Sequence, residues 1–138
     1  MCSTMTPERV ELARFFKVSS RRFEIGHATP EMFSTAIDAE WHRLMKTPEY
    51  AEFCTEHAGR AIGHRPVKGA GEISWISTYE EMFGPLPALW FTSKHGRVDE
   101  EALARYQETG VVVAEWDCSP VPGDGGDIAP KPEKATAR

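Results

Sequence analysis

What this sequence lacks excludes many of the roles open to a small protein. It has three cysteines in 138 residues, Cys2, Cys54 and Cys118. They form no paired framework, so the fold does not rest on disulfides, and the thiols are expected to stay reduced or to serve as ligands. There is no CxxC pair and no HExxH helix, the two patterns that mark a zinc site most strongly. Gly69 and Gly71 lie in a loop without the spacing of a phosphate-binding loop. No apolar run approaches the ~20 residues needed to span a bilayer, and no charged and apolar leader opens the chain. A cytoplasmic protein with no membrane partner is expected. Basic residues are also short: 16 Lys and Arg against 21 Asp and Glu leave a net charge of -5. Phosphate neutralisation dominates nucleic-acid affinity, and Arg21-Arg22 is too small a patch to supply it, so no nucleic-acid partner is expected.

What remains is enough for one domain with a real core, in which a metal would be an addition and not a condition of folding. Helix-start signals recur at Thr6-Pro7-Glu8, Thr29-Pro30-Glu31 and Thr47-Pro48-Glu49, where Thr can cap, Pro suits the first helical position and Glu suits the dipole. The first predicts a short helix to about Lys17 that caps the core, followed by a short strand over Arg22-Phe23-Glu24-Ile25. The second and third predict helices to about Lys46 and to Gly59, folded back as a helical hairpin. A helix over Glu72 to Phe83, a buried strand over Leu86 to Phe91, a helix capped by Asp99 and closed by Gly110, and a strand over Val111 to Trp116 complete the expected elements. From Pro120 the chain turns to Pro, Gly, Asp, Ala and Lys, which cannot bury enough surface to offset ordering entropy. The expectation is a mostly α fold with a small β element, a globular domain over residues 1–120 and a disordered tail over 121–138.

The chemistry-bearing side chains concentrate between Thr29 and Pro66. Asp38 and His42 lie four apart on one helix face, an arrangement in which the carboxylate can hold one imidazole nitrogen and leave the other for a metal or a proton. Tyr50, Phe53, Cys54 and His57 share a face of the next helix. His64 follows in a turn able to return over the hairpin, and Cys118 sits at the end of the last expected strand. His27 and His95 read as turn residues.

Asp38-x-x-Trp41-His42, Tyr50-x-x-Phe53-Cys54 and Gly59-x-x-Ile62-x-His64-x-Pro66 occur in order. This core resembles that of the glycine-rich domain-containing protein-like family, known from plants and with short bacterial relatives. The resemblance covers about a third of the chain. Plant members often have a second His two residues after the first, where this chain has Leu44, and their glycine-rich tail is absent from this sequence. The resemblance implies a shared scaffold and no particular activity.

Three functions fit these residues. In the first, His42, Cys54, His64 and Cys118 supply four nitrogen and sulfur ligands to a zinc ion, with His57 a rival to Cys118 for the fourth place. In the second, His42 is held by Asp38 in a structural role and Cys54 is a small buried hydrophobe. The domain then binds a protein or small-molecule partner through a surface shaped by Trp41, Trp75, Trp90 and Trp116. In the third, a small enzyme uses Cys54 as a nucleophile activated by His42 and Asp38.

Overall fold

In the computed structural model, which describes residues 6–26 and 30–122, Thr6-Pro7-Glu8 starts the first helix as its sequence suggests. Thr6 Oγ1 accepts a hydrogen bond from the Arg9 N–H at 3.2 Å, and Pro7 opens α1, Pro7–Glu24. The helix does not end near Lys17, and its last turns absorb Arg22 to Glu24 of the expected strand. The polar residues after Lys17 are paired within the fold. Ser19 Oγ donates to the Phe15 carbonyl at 2.7 Å, Ser20 Oγ to the Ala58 carbonyl at 2.9 Å, and the Arg22 guanidinium to the Ser74 carbonyl at 3.2 Å. Nor does α1 merely cap the core. Leu12, Phe15, Phe16 and Val18 on it are fully buried, and α2, Thr35–Met45, and α3, Tyr50–Ala58, both pack against it.

The second helix starts five residues later than Thr29-Pro30-Glu31 suggests, capped by Ser34, whose Oγ accepts from the Ile37 N–H at 3.2 Å. The intervening segment is extended because it has other partners. The Glu31 carboxylate accepts from the Ser74 N–H at 3.0 Å, and the Met32 N–H donates to the Cys118 carbonyl at 3.1 Å. Ile37, Trp41 and Leu44 form the buried stripe of α2. Trp41 Nε1 donates to Tyr50 Oη at 3.1 Å, which in turn donates to the Ile62 carbonyl at 2.7 Å, fixing α3 and the strand after it to α2.

The β component is two separate antiparallel pairs. β1, Ile62–Arg65, pairs with the last strand, β4, Ser119–Pro122, placing His64 opposite Pro120. β2, Gly69–Glu72, pairs with β3, Val113–Trp116. Residues expected as loop thus become strands. In β2 this requires glycine, since a Cβ on Gly69 would lie 2.5 Å from the Trp116 ring opposite it. β2 also takes Glu72 from the expected start of α4, Ile76–Phe83.

Leu86 to Phe91 is not a strand: after Pro87 the chain makes a 3-10 turn over Ala88–Phe91, and Trp90 N–H donates to the Pro87 carbonyl at 3.1 Å. The last helix, α5, Glu100–Thr109, has the expected ends, with Asp99 Oδ1 accepting from the Ala102 N–H at 3.1 Å and Gly110 in the left-handed region at φ 77°.

The expected domain end at residue 120 falls inside β4. Val121 is 3% exposed and paired opposite Gly63, so the folded part reaches Pro122. The rest of the expected tail, and His27, lie outside the described residues. Mostly α with a small β component is therefore the observed class. Among the described residues no helix is long and apolar enough to cross a membrane.

Trp41, Trp75 and Trp90 are fully buried. They belong to the core, so the contact face expected of the tryptophans is not formed by these three. Beneath Trp90 and Tyr79 lies a carboxylate, Glu11, itself 6% exposed. It accepts from Tyr79 Oη at 2.6 Å, Trp90 Nε1 at 2.9 Å and Arg14 at 3.2 Å. Three donors around one buried carboxylate satisfy a charge that would otherwise be strongly destabilising.

Candidate metal centre

The edge of α2 that faces away from Ile37 and Leu44 carries Asp38 and His42, one turn apart, with Asp38 Oδ1 3.4 Å from His42 Nε2. Two further segments converge on this edge. β1 brings His64, whose ring meets that of His42 edge-on with centroids 4.6 Å apart. The same His64 ring rests against the Trp41 indole, also at 4.6 Å. Cys118 arrives from the other end of the chain, held by its bridge to Met32 and by the strand that begins at the next residue. Its thiol donates to Asp38 Oδ1 at 3.1 Å.

Asp38, His42, His64 and Cys118 each offer one ligating atom, and all four atoms lie within 4.8 Å of one another. Metal bonds of about 2.0–2.3 Å at a tetrahedral zinc imply ligand-to-ligand edges of roughly 3.3–3.8 Å. The Asp38 contacts at 3.1 and 3.4 Å already match that edge or are slightly shorter. Side-chain rotations of about 1 Å close the longest separation to it. Two imidazoles, a thiolate and a carboxylate form a donor set that suits zinc, and the two anionic ligands balance its charge.

The Cys118 thiol is held well above its ordinary range, chiefly by burial, then by the charge of Asp38 and the hydrogen bond to it, with Asp117 adding to the effect. A cysteine so placed is inert as a free nucleophile and becomes a thiolate only if a cation replaces its proton.

Of the ligands expected from the sequence, His42, His64 and Cys118 come together and Cys54 does not. Cys54 is 1% exposed, on the buried face of α3, beside Tyr50 and the backbone of Ile62, and burial raises its thiol. Its spacing from Tyr50 and Phe53 marked a core position, and it packs as one. The rival His57 also lies elsewhere, against the Phe53 ring at 4.6 Å, and burial lowers its pKa. The place given to Cys54 is taken by Asp38. The signal for it was present in the four-residue spacing to His42, which suits a shared metal as well as a carboxylate that orients its neighbour.

For the alternative of a small enzyme, this arrangement separates the parts: Asp38 and His42 share a cluster with Cys118, while Cys54 is outside it. His95 is exposed in the turn between Ser93 and Arg97, as its sequence context suggests. Compared with protein-family models, with curated proteins and with solved structures, the chain has no match.

Proposed function

We propose that this chain is a small cytoplasmic zinc-binding domain in which Asp38, His42, His64 and Cys118 hold one ion that supports a binding function. The observation that carries this is the convergence of four ligating atoms, from α2, β1 and the residue before β4, to within 4.8 Å. An ion there would tie α2 to the antiparallel pair of β1 and β4, a structural role. Three of the four, Asp38, His42 and His64, belong to the motif by which the chain resembles the glycine-rich domain-containing protein-like family, and metal binding is the role we propose for that motif. Cys54 in the same motif serves the core. Its burial and raised thiol weigh against its use as a nucleophile.

Elemental analysis of the purified protein, coupled to alkylation of its cysteines, tests this. Stoichiometric zinc is expected. Cys118 should become reactive only after a chelator removes the metal, and Cys54 only on unfolding. Metal-free protein whose stability does not change with added zinc would overturn the proposal.

A further inference from the structure

The four grouped side chains are enclosed unequally. Cys118 is 2% exposed and Trp41, which backs His64, is fully buried, whereas the side chains of His42 and Asp38 are 47% and 26% exposed. One side of the group is therefore open. On that side lies a cleft of about 560 Å³ whose wall includes Asp38, His42, Lys46, Lys94 and Asp117. The two lysines lie at opposite ends of α2. Lys46 is its C-cap, and Lys94 is held near its start by a hydrogen bond from its backbone N–H to Thr35 Oγ1 at 3.0 Å.

Charge gives this cleft a direction. The chain as a whole is acidic, at -5, yet neither ammonium group has an ion-pair partner among the described residues. Arg43, also on the cleft wall, is already held by Glu40 at 3.2 Å. With zinc present, Asp38 and Cys118 neutralise the ion, so Lys46 and Lys94 outnumber the remaining carboxylate, Asp117. Lysine binds an oxyanion as a point charge without the planar match that a free guanidinium would demand. Zinc sites can expand from four to five ligands, and the exposed His42 and Asp38 leave this one open to a further oxygen on the cleft side.

We infer that this cleft binds a small oxyanion-bearing molecule, one oxygen of which joins the metal while Lys46 and Lys94 hold its charge. This rests on the zinc reading of the site and adds a ligand class to it: phosphate or carboxylate oxygen on a molecule small enough for the cleft.

The test begins with the zinc content of the full chain, then substitutes cobalt(II), whose visible absorption follows coordination number. Inorganic phosphate and acetate are titrated separately against chloride at the same ionic strength. A saturable spectral change with either anion is expected, weakened at least tenfold in the Lys46→Gln, Lys94→Gln double variant at unchanged metal content. A response to phosphate alone would identify a phosphoryl ligand, and to acetate alone a carboxylate. Metal-loaded protein that responds to neither anion, or responds equally without the lysines, would overturn the inference while leaving the zinc site intact. A chain that takes up no metal would instead remove the site itself, and the initial zinc measurement separates the two failures.

Discussion

The Cys118 thiol donates to Asp38 Oδ1 at 3.1 Å, joining residues 80 apart in sequence. Neither residue can find the other in an unfolded chain, so an ion held between them favours the folded state. Without the ion this thiol keeps its proton, because burial and the Asp38 charge both oppose ionisation. Zinc must displace that proton, so affinity should rise with pH by about tenfold per unit while one proton is released. Competition against a chromophoric chelator between pH 6 and 8 measures this. A pH-independent affinity would exclude Cys118 as a ligand.

Trp41 serves both the core and the candidate site. It is fully buried, packs edge-on against Phe16 with centroids 5.6 Å apart, and supports the His64 ring on its other contacts. Trp41→Ala should cost about 3–5 kcal/mol on denaturant titration. It should also weaken zinc binding by loosening His64. A near-neutral effect on stability would contradict its place in the core.

Much of this could be read in the sequence where local chemistry decides the outcome. Asp99 and Gly110 bound α5, and Gly59 ends α3 at φ 74°, because capping and left-handed backbone are settled within a few residues. The end of α1 was not legible because Ser20 and Arg22, beyond Lys17, find their partners in distant segments, at Ala58 and Ser74. The strands at Ile62–Arg65 and Gly69–Glu72 were hidden because each is defined by a partner more than 40 residues away. In the candidate site, local spacing found the Asp38–His42 pair, but only the tertiary structure separates Cys118, which joins it, from Cys54, which does not.

Glu11 lies in the core without having been visible as a core residue. Removing its carboxylate leaves Tyr79 Oη and Trp90 Nε1 without their acceptor and Arg14 with Tyr79 Oη alone. Glu11→Ala should destabilise by about 3–5 kcal/mol, as when one partner of a buried charged network is lost. Glu11→Gln, which keeps an acceptor oxygen, should cost less. Thermal unfolding of the two variants compares them, and equal losses would show that volume, not the charge-assisted bonds, governs this position.

His57 provides a pH signature independent of any metal. Burial lowers its pKa below the ordinary value of 6.5. As pH falls through about 6.5 the unfolded chain therefore takes up the proton first, and stability is lost progressively from there to below the depressed native value. Above that window His57 contributes no pH dependence. His57→Gln should flatten the loss of stability between pH 7 and 5 relative to the parent protein, measured by urea titration at each pH. Parallel curves for the two proteins would place His57 in solvent.

The zinc-edge X-ray absorption spectrum of the metal-loaded protein tests the proposed centre most directly, because it counts sulfur ligands. Asp38, His42, His64 and Cys118 should give one sulfur at about 2.3 Å and three nitrogen or oxygen neighbours at about 2.0–2.2 Å. Two sulfurs would restore Cys54 to the site, and a shell of nitrogen and oxygen alone would remove Cys118; either would contradict the ligand set proposed here.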